Sequence, residues 1–178
     1  MKKLLLLALI LGSLLFLYLI TQGLFQTVVV EQRAMPGYRV VGVRHTGPYE
    51  KIGDAFERIH TIADENGVAV RMIGVYFDNP EQVAEDSLRS IAGIIVSEED
   101  STKLSALPGM AALSIPPGNA AVSSFETGGM VSMIVGAMKS YPKLSEYVKE
   151  KGIAENVTFV YEVYDEGKTE YVMQLSGQ

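Results

Sequence analysis

The chain predicts an α+β fold: duplicated strand-helix-strand-strand units forming an antiparallel sheet with helices on one face, preceded by one transmembrane helix. Three observations carry that reading. An apolar run opens the chain, two dipeptides recur at a fixed separation, and each recurrence introduces the same order of apolar patterns. Pro36-Gly37 returns as Pro117-Gly118 and Thr46-Gly47 as Thr127-Gly128, each pair separated by 81 residues. Recurrence at one period is the signature of an internal repeat.

The first element runs from Leu4 to Ile20, apolar except for Gly12 and Ser13, and follows Lys2 and Lys3. At ~1.5 Å per residue, about 20 helical residues cross a hydrocarbon core of ~30 Å. The run is longer than the core of a secretory signal and leads into Thr21-Gln22-Gly23-Leu24-Phe25 rather than a small-x-small cleavage site. Residues 1–25 are therefore read as an uncleaved anchor and 26–178 as one domain, with halves at about 28–96 and 111–176. The two lysines place the N-terminus inside and the domain outside the cytoplasm.

In the first half, Tyr38 to His45 reads as a strand through Val40, Val41 and Val43. Pro48 suits a first helical position, and Ile52, Phe56, Ile59 and Ala63 form one stripe until Gly67 ends the helix. Arg71 to Phe77 and Leu88 to Val96 read as strands, separated by an acidic loop from Asp78 to Gln82. Ser97 to Pro108 reads as a polar connector. In the second half, Ala120 to Glu126 is the strand, and Val131, Ile134, Val135 and Met138 form a stripe that Pro142 is expected to kink or break. Met130, Met133 and Met138 suit core packing or a soft pocket wall. Strands from Val157 to Tyr164 and Thr169 to Leu175 follow, joined by a turn containing Gly167.

Composition narrows the chemistry. With 15 basic against 21 acidic residues the net charge is −6, and two of the lysines belong to the anchor. Such a balance repels phosphate backbones, so no nucleic-acid partner is expected. The absence of cysteine excludes disulfides, thiolate metal sites and cysteine nucleophiles. His45 and His60 lack metal-ligand spacing. No metal and no cofactor are expected.

Four stretches then fall into a familiar pattern. Pro36-Gly37-Tyr38 precedes a strand, and Thr46-Gly47-Pro48-Tyr49-Glu50-Lys51-Ile52-Gly53 opens a helix. Gly74-Val75-Tyr76-Phe77-Asp78-Asn79-Pro80 follows, and Tyr161-Glu162-Val163-Tyr164 closes the set. Together they resemble the GyrI-like small-molecule-binding domain (AraC-type effector-binding, an SHS2 duplication), over about residues 28–175. The resemblance implies a ligand groove between two halves. Its members serve as effector-binding parts of multidrug-responsive activators, as a gyrase inhibitory protein and as hydrolases of cyclopropane-bearing compounds. Here a membrane helix stands where an activator would carry its DNA-binding region, so that role does not transfer.

Alternation along the last-but-one strand puts Val160, Glu162 and Tyr164 on one face and Phe159, Tyr161 and Val163 on the other. The second, apolar set is expected to face the helices, leaving Glu162 and Tyr164 opposite, beside Gly74 and Tyr76 of the matching strand. Glu162, Tyr164 and Tyr76 are thus the candidate ligand-binding residues. Gly74 stands where the second half has Glu162, so the groove has one carboxylate. A desolvated carboxylate among aromatic rings suits an apolar cation, with cation-π attraction of about 0.5–2 kcal/mol. The expected function is a membrane-anchored receptor for amphipathic or cationic small molecules. Two alternatives stand beside it. One is a hydrolase in which Glu162 activates water. The other is a membrane-tethered interaction module whose groove holds a segment of a protein partner, a layout like that of a vertebrate membrane-anchored autophagy receptor.

Overall fold

The computed structural model describes residues 1–176. Helix α1 (Lys2–Thr21) comes first, with none of its residues buried, and it is long and apolar enough to cross a membrane. By length and composition a signal sequence would pass the same test.

The rest is an eight-stranded antiparallel sheet with helices on one face, as the sequence predicts. Its elements are β1 (Val30–Met35), β2 (Tyr38–Thr46), α2 (Gly53–Glu65), β3 (Met72–Tyr76), β4 (Arg89–Ile95), α3 (Glu98–Ser105), β5 (Met110–Ile115), β6 (Gly118–Glu126), α4 (Met130–Glu150), β7 (Val157–Asp165) and β8 (Lys168–Leu175). The strand order is β1-β6-β8-β7-β3-β4-β2-β5. Exchanging β1 through β4 with β5 through β8 reverses that order onto itself, so the sheet is pseudo-two-fold. The axis passes through the β3–β7 pair, where Gly74 stands opposite Glu162.

Three parts differ from the sequence expectation. Each half begins with an additional strand, and each is exchanged: β1 pairs with β6 of the second half and β5 with β2 of the first. The polar connector contains α3, where the Ser97 hydroxyl caps the Asp100 amide at 3.1 Å and Leu104 is fully buried. Helix α4 continues through Pro142 without a break. Its start is fixed by Ser132, whose hydroxyl accepts from the amides of Gly128 (2.8 Å) and Gly129 (3.0 Å).

The core has two layers. On the helix side, α2 buries Ala55, Ile59 and Ala63 against Val41, Val43, Ala92 and Ile94, while α4 buries Leu144 and Val148 against Ala121, Phe125 and Tyr171. The opposite face is dry as well: Val40, Ile73, Val75, Tyr161, Val163 and Val172 lie in one cluster with Met35 of β1 and Ile115 of β5. Residues from both ends of the sheet share that cluster because the sheet curls upon itself. The β1–β2 and β5–β6 turns meet at Gly37, where an added β-carbon would lie 3.0 Å from the Pro117 ring. Each aliphatic side chain so buried contributes about 1.5–3 kcal/mol.

Candidate functional site

Helix α2 packs on β2 and β4, and α4 packs on β6 and β8. The central β3–β7 pair lies between their footprints. Alternation along β7 directs Glu162 and Tyr164 toward this strip, and Tyr141 of α4 reaches down to it. The sequence assignment of faces is thereby corrected: Glu162 lies on the helix side, and Tyr161 and Val163 on the helix-free side. The helix-free side is the drier of the two, because the curled sheet closes it with its own side chains. That is where the apolar face of β7 belongs.

Glu162 is only 7% exposed. Tyr141 Oη donates to its Oε1 at 2.7 Å, and Tyr164 Oη donates to Oε2. Tyr76 Oη lies 3.4 Å from Tyr164 Oη and extends the chain of phenols. The three residues picked from sequence, Glu162, Tyr164 and Tyr76, are thus brought together. Gly74 makes this convergence feasible: a β-carbon there would lie 2.9 Å from Tyr76 Oη and 3.3 Å from the Phe56 ring. The space of the missing side chain is filled by the tyrosine from the same strand.

A second tier of rings holds the first. Tyr49 packs edge-on against Tyr76 at 4.9 Å, Phe56 against Tyr164 at 5.5 Å and Tyr171 against Tyr141 at 5.7 Å between centroids. Such pairs add about 0.5–1.5 kcal/mol each beyond burial. Tyr49 is itself fixed, since its hydroxyl donates to the Asp78 carbonyl at 2.8 Å and accepts from the Asp78 amide at 3.1 Å. The Asp78 carboxylate is clamped by the Arg89 guanidinium at 2.7 and 2.9 Å, so this acid of the loop is engaged rather than solvated. Tyr171 is tied by its hydroxyl to the Met133 carbonyl at 2.9 Å.

Electrostatically the site is a buried acid without a cation. Burial pushes the Glu162 carboxyl above its ordinary range, against the opposing effect of the hydroxyls of Tyr164, Tyr141 and Tyr76. Among the described residues no lysine, arginine or histidine forms an ion pair with it. The contrast with Glu170 is direct. Burial would raise that group too, but Lys168 at 2.8 Å and Arg33 at 2.9 Å hold it below the usual carboxylate range. Burial, followed by repulsion from Glu162, pushes the hydroxyls of Tyr76, Tyr141 and Tyr164 well above a free phenol, so they stay protonated and donate.

Both oxygens of Glu162 accept a phenol and the residue is almost wholly covered, so an incoming ligand or water reaches the acid only if a covering side chain moves. A concavity of about 350 Å³ opens beside the cluster at Tyr49, lined also by Glu50, Pro80, Glu85 and Leu88. Another, of about 420 Å³, lies on the outer flank of α2 between Asp54 and Ile62. Sequence reasoning missed Tyr141, Tyr171 and Phe56 as members of the site. Tyr141 comes from α4, 21 residues before the acid, and only the packing of that helix on the sheet reveals it.

The family model of the GyrI-like small molecule binding domain matches residues 29–175. The chain belongs to that family. A curated relative, human Testis-expressed protein 264, is 28% identical over 194 aligned positions that span 100% of this chain and 60% of the human protein. The chain thus spans somewhat more than half of that relative. Among solved structures, the EcmrR C-terminal domain superposes with a TM-score of 0.60 at 14% identity, covering 86% of this chain and all of that one. SAV2435, solved bound to tetraphenylphosphonium, gives a TM-score of 0.55 at 12% identity, covering 84% of this chain and 94% of that one. At such identities the likeness is one of fold.

Proposed function

We propose that this GyrI-like domain is a membrane-anchored receptor whose ligand, an amphipathic or cationic small molecule, sits over Glu162 between α2 and α4. The observation that carries the reading is a buried carboxylate ringed by phenols and left without a cation. A protein pays to bury a charge, and the cost is recovered when a ligand supplies the opposite charge. An apolar organic cation does so with little desolvation of its own and gains cation-π attraction of about 0.5–2 kcal/mol from the rings. The solved relative that carries tetraphenylphosphonium supports this class of ligand. On binding, the ligand moves Tyr141 or Tyr164 aside from the acid. Binding fits the geometry better than hydrolysis, because Glu162 is covered from solvent and the two phenols it accepts draw on the basicity a water would need.

Residues 1–25 act as the anchor in this reading, α1 crossing the membrane with Lys2 and Lys3 on the inner side. The test uses the full chain in nanodiscs, titrated calorimetrically with tetraphenylphosphonium and with the matching anion tetraphenylborate. After the heat of partitioning into protein-free nanodiscs is subtracted for each ion, saturable heat from the cation alone is expected, and it is lost in Glu162→Gln. Equal binding of both ions, or product formation from a reactive electrophile that depends on Glu162, would overturn the receptor reading.

A further inference from the structure

Helices α2 and α4 occupy equivalent places, yet over the first half of α4, before the exposed Lys143 and Glu146, the outer face has the opposite chemistry to that of α2. On α4, Met130, Ile134 and Met138 follow at four-residue spacing and are 76%, 54% and 72% exposed. Ser132, Gly136 and Ser140 from the same turns are buried against the sheet. The apolar stripe therefore points away from the protein, and no charged residue occurs from Thr127 to Met138. On α2 the exposed positions, Gly53 apart, are all polar or charged: Asp54, Glu57, Arg58, His60, Thr61, Asp64 and Glu65. A contiguous apolar stripe on one of two matched helices marks a contact surface.

What adjoins it is α1. The turn after α1 packs on the second half: an added β-carbon at Gly23 would lie 2.6 Å from the Phe125 ring. Lys139, the residue after Met138, donates to the Leu24 carbonyl at 2.7 Å and approaches that of Gly23 at 3.4 Å. The end of the apolar span is thus fastened to α4 itself. Next to that fastening Phe25 is 68% exposed, its ring edge-on to Phe16 of α1 at 6.2 Å. A span leaving the bilayer at this point brings the outer face of α4 to the lipid surface.

We propose that the first half of α4 lies on the bilayer that α1 spans, with Met130, Ile134 and Met138 inserted beneath the headgroups. The proposal rests on α1 being retained as an anchor. An uncharged, flexible apolar stripe backed by a lysine fits an interfacial helix, which seats its apolar face about 5–10 Å into the headgroup and acyl boundary. Since α4 also carries Tyr141, the site over Glu162 stands close to the headgroups, where amphipathic ligands accumulate.

The chain has no tryptophan, so single tryptophans report their own depth. Tyr18→Trp in α1, Ile134→Trp in α4 and Thr61→Trp on the outer face of α2 all alter exposed positions. Full-chain variants with unchanged far-ultraviolet circular dichroism are reconstituted into phosphatidylcholine and phosphatidylglycerol vesicles with or without brominated acyl chains. At the stated insertion depth, the tryptophans at 18 and 134 are expected to lose roughly half of their emission to bromine, and that at 61 to lose none. Quenching at 18 but not at 134 overturns the inference and leaves the anchor standing. No quenching at 18 overturns the anchor and the inference with it, and equal quenching at 61 overturns the selective orientation.

Discussion

Replacing Glu162 with glutamine is expected to make the protein more stable and the receptor useless. The carboxyl has a raised folded-state pKa because burial outweighs the phenol bonds it receives. For such an acid the folded state holds its proton to higher pH than the unfolded state. Its penalty is therefore absent below the ordinary carboxylate pKa, grows as pH rises toward the folded value and is complete above it. Each pH unit of raised pKa corresponds to about 1.4 kcal/mol. Glutamine keeps a similar shape and an acceptor for one of the two phenols, but carries no charge to desolvate. A gain on the order of 1 kcal/mol at pH 8 follows, or about 2–4 °C in melting temperature for a domain of this size. At pH 4 the gain should vanish, because the native acid is then neutral as well. Binding moves the other way, since removing one partner of a buried charge pair costs about 2–5 kcal/mol. The assay is a melting series of both proteins from pH 4 to pH 9, with and without tetraphenylphosphonium. If the glutamine variant melts lower by the same amount at every pH, Glu162 is a structural acceptor and the stored-charge argument fails.

Further outcomes follow from single contacts. Tyr141→Phe removes the donor to Oε1; urea titration should show a loss of about 1–3 kcal/mol at pH 8 that shrinks in acid as the carboxyl is protonated. Gly136→Ala places a methyl 2.4 Å from Tyr171 Oη and 2.9 Å from the fully buried Phe125 ring, for a loss of about 1–3 kcal/mol by the same titration. Arg71→Ala breaks a bidentate pair with Asp165 at 2.8 and 3.0 Å that ties the two halves at the surface. Because both groups are half exposed, no more than about 1 kcal/mol should be lost, and less in high salt.

The six strands carrying the repeat were legible because short runs rich in β-branched or aromatic residues are bounded by turn residues. Helix α2 was legible because Ile52, Phe56, Ile59 and Ala63 keep one stripe. Strands β1 and β5 were not. The first carries Glu31, Gln32 and Arg33 in succession and the second has Ala111, Ala112 and Ser114 at its centre, and both become strands by pairing across to the opposite half. Helix α3 was hidden by its brevity, its one buried side chain being Leu104. Period-two alternation separated Glu162 from Tyr161 correctly but could not say which face the helices cover. That depends on the curl of the sheet, a property of all eight strands together. Tyr164 and Tyr76 were found because each shares a strand or a register with the acid, whereas Tyr141 arrives from a helix.

The most direct measurement is an experimental structure of the full chain grown with tetraphenylphosphonium. The cation is expected over the β3–β7 pair, its phenyl groups within ~6 Å of the tyrosine rings and Tyr141 or Tyr164 swung away from Glu162. A cation bound elsewhere, with Glu162 still capped by both Tyr141 and Tyr164, would contradict it.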